Sequence, residues 1–579
     1  MVAGALRLPT LTQPITVHHG WRQTQTAATI RNFSRFGVDF LRPEVPIFGR
    51  RSVVVYEFPL FQALAAQVTR FSLSAEMSGR LIGLVSLLVS GALTSLVARR
   101  FVSSRAALVA AAVMVFSPFS LFWGSSVMIE YFVLALVLAT SLALFRWNES
   151  HHRRWLATAT ATGCLAAVVK FSTIVPWMIL FGAVLWSGPG TRRRRLLIGA
   201  ATLGPISAAG LAWSLWADHV KMAVAATRPL ATSGMIHESL NAMHRLGSWA
   251  IWRMPVRTIA LQQLGVVGLV AVVGALLSWS NEPRKNQLLL SALFAMPIAA
   301  VVTFPVQYAV HDYYSAALAP IVALLVAKGV QNLSSYRPVV SRQRLGVGVV
   351  AGYIVALCAI LPVERAYAAN RFLKVRLVDD RAAAIRVAVR KGGVLGVLAR
   401  TWNPSLSYLL DRDVSIAWEP DSIAVADWYR RGVRDVAIDN PVLESVAMVQ
   451  APWIGSGDPV SLSLGATVAA LRSPTIASMQ TMAWRLDPGS GRAVDCGRRG
   501  VTGPLPSGPF VVRPERAGTQ AVISFGDASA IPIQAGAVVW PDRQPNGAQL
   551  VCPLAAMRLR VFPLSAPDAG IAPLAPSSS

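Results

Sequence analysis

The chain has 579 residues, 54% of them hydrophobic and only 14% charged, with a mean hydropathy of +0.49. Soluble domains carry about 25% charged residues, so this composition excludes an ordinary soluble protein; it also excludes disorder, which requires low hydrophobicity. Lys and Arg number 54 against 28 Asp and Glu, a formal net charge of +26, and whether that excess marks nucleic acid or membrane topology depends on where the basic residues fall.

Residues 1–80 hold no continuous apolar run, so they show neither a signal peptide nor a span. Within them Thr26 to Phe36 places Ala27, Ile30 and Phe33 at helical spacing, with Gly37 as a stop. A second helix is expected after Pro59, with Leu60, Leu64 and Val68 on one face. Such helices lie on the membrane interface or pack on other loops.

Spanning helices need about 20 apolar residues. Candidates fall at 81–98, 106–123, 127–145, 155–170, 171–187, 196–216, 258–279, 287–304, 313–330 and 345–362, about ten spans by the window criterion. The fourth and fifth abut at Lys170, and a single long helix is the alternative there. Arg99, Arg100 and Arg105, then Arg146, Arg153 and Arg154, then Arg192 to Arg195, then Arg284 and Lys285, then Arg337, Arg342 and Arg344 follow alternate spans. Basic loops on one face mark the cytoplasm. The charge is therefore read as topology, and no nucleic-acid partner is expected. The opposite, extracytoplasmic face receives residues 1–80, Glu130, the loop 218–256, the segment 305–312 and the chain after about 363.

Beyond the membrane domain, 81–362, the character changes. Residues 363–450 alternate helical and strand patterns: helices at Asp379 to Arg390 and Ser422 to Arg431, strands at Val394 to Ala399, Val414 to Trp418 and Val436 to Ile438. Residues 451–565 read as short β segments, and 566–579 as a disordered tail. The fold class is thus a polytopic α-helical membrane protein with a C-terminal extracytoplasmic α/β plus β-rich domain. Of the four Cys, Cys164 and Cys358 fall in spans. Cys496 and Cys552 share the outer domain, where a disulfide is permitted and two buried thiols are the alternative. No Cys/His spacing signals a zinc site.

The first loop reads His19-Gly-Trp-Arg-Gln-Thr-Gln-Thr-Ala-Ala-Thr-Ile-Arg-Asn-Phe33, then Gly37-Val-Asp-Phe-Leu-Arg-Pro43, then Tyr56-Glu-Phe-Pro-Leu60. It resembles the first extracytoplasmic loop of the GT-C membrane glycosyltransferases, the superfamily of dolichyl-phosphate-mannose protein mannosyltransferases and aminoarabinose transferases. Glu130, Lys170-Phe-Ser and His311-Asp-Tyr-Tyr314 extend the resemblance over about residues 15–330. It implies an enzyme of the bacterial cytoplasmic membrane that moves a sugar from a polyprenyl-phosphate donor to a glycan, lipid or protein acceptor. That chemistry needs a carboxylate for the acceptor hydroxyl and cations for the phosphate. Glu57, Glu130 and Asp39 are the candidate acids; Arg22, Arg31, Lys170 and Arg253 are the candidate cations; Gln25, His311, Asp312 and Tyr313 complete the candidate site. Lys170 has interfacial snorkelling as its alternative role. A divalent metal held by Glu57 and His311 is the minor alternative to a site without one.

Two departures from the family pattern stand out. Gln25 occupies the position of the family's loop Asp. Either another acid serves, Glu57 before Asp39, or the chain is an impaired relative that binds glycans or assists assembly. A lipid-linked saccharide transporter is the remaining alternative, although no internal repeat supports it. The family's leading span is also missing before Trp21, which points to a misplaced start or a truncation.

Overall fold

A computed structural model describes residues 19–49, 52–223, 231–335, 393–399, 402–418 and 435–438, with isolated residues near the N-terminus, at 227 and around 382–386, and short strands between 485 and 565. The expected span 345–362, Cys358, the helix 422–431, most of the helix 379–390, the Cys496–Cys552 pair and the tail 566–579 lie outside the described residues.

Helix α1 runs Gly20–Phe36, starting six residues before the expected Thr26. Ala27, Ile30 and Phe33 are buried along it, and Gly37, at φ +92°, returns its N–H to the Phe33 carbonyl to end it. Helix α2, Leu60–Val68, reverses the expected face. Phe61, Gln62, Ala65 and Ala66 are buried while Leu64 is exposed. The physical reason is that an apolar residue beside a membrane domain is equally content against lipid or protein, so apolar spacing alone does not say which face turns inward.

The membrane helices follow. They are α3 (Ala75–Ala98), α4 (Ser104–Phe116), α5 (Pro118–Trp123), α6 (Glu130–Ser150), α7 (Arg153–Ile174), α8 (Trp177–Trp186) and α9 (Arg192–Met222). After α10 (Thr232–Met243) and α11 (Trp249–Arg257), a π-helix at Thr258–Leu264 leads into α12 (Gly265–Leu277). Then come α13 (Arg284–Thr303), α14 (Pro305–Val310), a 3-10 segment at Asp312–Leu318 and α15 (Ala319–Ser335). Among the described residues six helices are long and apolar enough to cross a membrane, or seven if the pair Trp249–Leu264 and Gly268–Leu277, bent by 100°, is one span. The expected 106–123 and 171–187 appear as shorter helices.

The sequence accounts for several breaks. Pro118 holds Ser117 in an extended conformation (ψ 146°), which ends α4. The Ser117 hydroxyl then accepts from the Ser120 N–H and caps α5. Ser74, Ser103 and Thr191 cap α3, α4 and α9 in the same way. The fourth and fifth expected spans stay separate, but their boundary is Val175–Pro176; Lys170 is a kink inside α7, at φ −158° and ψ 92°.

The basic loops that carry Arg99 to Arg105, Arg146 to Arg154 and Arg192 to Arg195 share one end of this bundle, and Arg337, Arg342 and Arg344 lie outside the described residues. Arg100 pairs with Glu149, the Ser103 N–H donates to Gln331, and Asn148 donates to Ser187 Oγ at 3.0 Å, just before Arg192 to Arg195. Glu149 ends the helix that Glu130 begins, and at 1.5 Å per residue about 30 Å separates them. Glu130 therefore lies at the opposite end.

The chain forms two compact units. The membrane helices belong to the first, made of Met1–Ile15, Thr29–Pro43 and Val54–Ala369. The second gathers Thr16–Ala28, Glu44–Val53 and Asn370–Ser579. Its described part is a parallel sheet, β1 (Leu395–Ala399) between β2 (Val414–Trp418) and β3 (Asp435–Ile438), with helix α16 (Ser405–Leu410) joining β1 to β2. Residues 46–49 lie along β2, where the Ile416 N–H donates to the Ile47 carbonyl at 2.9 Å. Trp21 meets Trp402 edge to face at 5.1 Å. The strands after 485 pair antiparallel, the longest being Arg558–Ser565 against Phe510–Pro514.

Close helix contact in the first unit depends on small residues. A Cβ at Gly329 of α15 would lie 1.7 Å from the Ala271 carbonyl oxygen of α12. Gly329→Ala must push backbone from backbone, so a loss of about 2–3 kcal/mol is expected, seen as a lower Tm in detergent; Gly182→Ala, where a Cβ meets nothing within 4 Å, serves as the silent control.

Candidate functional site

Lys170 and Glu130 come together at the kink of α7. Lys170 Nζ lies 2.6 Å from Glu130 Oε1, and the two side chains are 9% and 4% exposed. Glu130 is the first residue of α6, where the N-terminal end of the helix dipole favours a negative charge. Its other oxygen, Oε2, is buried with no hydrogen-bond partner among the described residues. Lys170 Nζ also sits 4.3 Å from the centre of the Tyr314 ring and 5.2 Å from that of Tyr313, within cation–π range. His311 stacks on Tyr313, with ring centres 5.3 Å apart, and Trp123 of α5 meets Tyr313 edge to face at 5.7 Å. Asp312 is buried in the same 3-10 segment.

The kink itself places a second acid nearby. An interrupted helix leaves carbonyls without an in-helix amide, and the Phe58 N–H donates to Val168 O at 3.1 Å. Glu57, directly before Phe58, is buried, and its Oε1 accepts from Gln62 Nε2 at 3.0 Å. On the other side Trp213 Nε1 donates to the Tyr56 carbonyl at 3.2 Å, and Lys221 Nζ lies 5.8 Å from the Tyr56 ring. Lys221 is buried and pairs with Asp218 at 3.0 Å. Gln62, Asp218, Lys221, Trp213 and Tyr314 were not among the sequence candidates as a connected set. Tyr314 and Asp218 had local signals, but the reach of Gln62 to Glu57 had none.

The other candidates have surroundings of their own. Asp39 is exposed, and its Oδ1 accepts from the N–H groups of Leu41 and Arg42, both at 3.0 Å, so it shapes a turn. Arg31 is half-buried on α1, and Arg253 is exposed on α11. Arg22 and Gln25 belong to the second unit, where both are buried and Arg22 Nη1 donates to Gln25 Oε1 at 2.7 Å. Among the described residues no three His, Cys, Asp or Glu side chains converge to hold a metal ion.

Chemically, the cluster presents a desolvated ammonium against aromatic faces, one carboxylate with an unoccupied oxygen, and a second carboxylate one hydrogen-bonded strand away. Breaking one partner of a buried ion pair costs about 3–5 kcal/mol, because the other charge is left unpaired. Lys170→Met is expected to lower stability by that order, and Glu130→Gln with Lys170→Met to recover most of it; melting of the purified variants in detergent measures both. Losses of Lys170→Met and Glu130→Gln that simply add in the double variant would show that the pair is not coupled.

Residues 57–213 match the family model described as dolichyl-phosphate-mannose-protein mannosyltransferase, a stretch that contains Glu57, Glu130 and Lys170. The apo oligosaccharyltransferase of Archaeoglobus fulgidus aligns with a TM-score of 0.50 at 14% identity, covering 77% of this chain and 70% of that one. Apo ArnT from Cupriavidus metallidurans aligns with a TM-score of 0.48 at 13% identity, covering 78% of this chain and 94% of that one. The same ArnT bound to undecaprenyl phosphate gives 0.49 at 12% identity, over 78% of this chain and 95% of that one. No protein of curated function matches the chain in sequence. Residues 57–213 are thus similar in sequence to the mannosyltransferase family, and the fold is similar to that of the archaeal oligosaccharyltransferase.

Proposed function

We propose that this integral membrane protein transfers a sugar from a polyprenyl-phosphate donor to a hydroxyl of a cell-envelope acceptor, at the extracytoplasmic face of a bacterial cytoplasmic membrane. The observation that carries this reading is the buried Lys170–Glu130 pair at the α7 kink, inside the stretch that matches the mannosyltransferase family. The sidedness rests on the basic loops gathered at the far end of α6, which the positive-inside rule assigns to the cytoplasm.

The reaction forms a bond from the acceptor oxygen to the anomeric carbon and breaks the bond from that carbon to the phosphate oxygen. The donor phosphodiester carries one negative charge, and the released monoester carries about 1.5 to 2 at neutral pH. Negative charge therefore grows on the phosphate as the reaction proceeds, and Lys170 is placed to meet it. Poor hydration at a 9% exposed side chain strengthens that attraction. Glu130 holds the ammonium in place through one oxygen, and the Tyr313 and Tyr314 rings shield it. Glu57, steadied by Gln62, takes the hydroxyl proton.

A second reading, a relative that binds without transferring, is favoured by one observation: the neutral Gln25 that accepts from Arg22 where the family's loop has an acid. The two readings part in one assay, transfer from radiolabelled polyprenyl-phosphate mannose, glucose and arabinose in membranes. Wild type is expected to transfer one of them, Lys170→Met to lose about 10²–10³ in rate and Glu57→Gln about 10²–10⁴. Transfer by Gln25→Asp alone would establish the binding-only reading for the natural chain. Equal rates for wild type and Glu57→Gln would remove Glu57 from the mechanism.

A further inference from the structure

Two stretches of irregular backbone adjoin the Lys170 cluster, the π-helix Thr258–Leu264 and the 3-10 segment Asp312–Leu318. They touch: Gln263 Nε2 donates to the Ser315 carbonyl at 2.9 Å. In a π-helix residues five apart stack on one face, so Thr258 shares the face of Gln263. Irregular backbone at membrane depth is tolerated where it is buried in protein or lines a cavity, and π segments recur at functional sites.

The hydroxyls here also differ from most of those elsewhere in the bundle, Ser78 of α3 being another buried exception. Thr94, Thr140 and Ser141 each donate to the carbonyl four residues before, the usual habit of a buried helical hydroxyl. Among the described residues Thr258 Oγ1 and Ser315 Oγ, on residues 1% and 0% exposed, have no hydrogen-bond partner, and neither does the buried Tyr308 Oη. The Tyr308 ring meets that of Tyr314 at 5.7 Å, and Tyr314 carries Lys170 Nζ over its face. Three orphaned, uncharged hydroxyls thus sit on touching segments, the π-helix, the 3-10 segment and α14, and the 3-10 segment packs on α7, the helix that carries Lys170. Each can donate and accept, and each is costly to leave unmet in a dry interior. An apolar prenyl chain would leave them unmet. An anion is served by Lys170. A neutral polyhydroxylated ring satisfies them all.

Resting on the transferase reading above, we infer that Thr258, Ser315 and Tyr308 form the subsite for the sugar ring of the lipid-linked donor, with its phosphate at Lys170. The subsite makes the sugar itself, and not only its lipid phosphate, a source of donor affinity.

The test measures binding to the full chain in nanodiscs. The probes are short polyprenyl-phosphate esters of mannose, glucose and arabinose, with polyprenyl methyl phosphate as a reference of equal charge that lacks the hydroxyls. At least one sugar ester should bind wild type about tenfold or more tightly than the methyl ester. Each hydroxyl removed, in Thr258→Val or Ser315→Ala, should cut that advantage about threefold to tenfold. The methyl ester should bind every variant alike, and Thr258→Ser should keep the advantage. If every sugar ester binds wild type no better than the methyl ester, or if the advantage survives in the double variant, the subsite is refuted and a buried water is the occupant. A sugar-dependent advantage without any transfer would remove the transferase reading and leave the subsite standing. Transfer with no such advantage would do the reverse.

Discussion

A lysine inside an apolar helix is the constraint on which the first unit turns. A buried ammonium is costly without a partner, and the partner is not on its own helix. Glu130 begins α6, so α6 and α7 must be held in one register for Oε1 to reach Nζ at 2.6 Å. The kink at Lys170 then has consequences of its own. It breaks the regular ladder of α7, and the Phe58 amide meets the Val168 carbonyl. The segment Tyr56–Glu57–Phe58 is thereby fastened beside the pair, with Trp213 of α9 holding its other side. One buried charge accounts for the meeting of a loop and three helices.

The same pair gives the bundle an axis. Glu130 and Glu149 stand at the two ends of α6, and each meets a cation. At the Glu149 end the cation is Arg100, one of a basic set repeated on successive loops. At the Glu130 end it is Lys170, set against the Tyr313 and Tyr314 rings, with Trp123 behind Tyr313. Basic residues at one end act as topology signals. At the other end weak hydration strengthens the pull of a buried lysine on a phosphate.

Much of this organisation was legible in the sequence, and the limits have physical causes. Six of the ten expected spans, or seven with the bent pair, appear among the described residues as long apolar helices, readable because their apolar runs are long. The clustering of basic loops was readable because charge avoids the bilayer. Breaks at Ser117–Pro118 and Phe304–Pro305 follow from proline, although the first was absorbed into an apolar run. The inner face of α2 was not legible: apolar Leu64 turns outward and polar Gln62 turns inward. In a soluble helix polarity marks the outside; against lipid it does not. Gln62 joins Glu57 only through a fold that brings α2 back upon the loop. Likewise 46–49 lies along β2 and Trp21 reaches Trp402 across some 380 residues of chain, pairings that no local pattern encodes. The Arg22–Gln25 bond, by contrast, is three residues apart on a helix and was within reach of spacing alone.

Irregular backbone in this bundle is not scattered. The α7 kink, the Ser117 break before α5, the π-helix before Gly265 and the 3-10 segment after His311 all contribute to the surroundings of Tyr313 and Ser315. Each departure from α-helix exposes backbone groups that hydrocarbon cannot satisfy. Side chains supply some of the replacements: Trp177 Nε1 donates to Ala317 O at 2.9 Å and Gln263 to Ser315 O. Others, the hydroxyls of Thr258 and Ser315 among them, are left unmet. A fold selected for stability alone would run these segments as plain helices and turn those hydroxyls onto their own carbonyls, as Thr94 and Ser141 do. That the departures fall on touching segments, one of them the helix of Lys170, and leave polar atoms unmet there, is what a site shaped for a polar occupant requires.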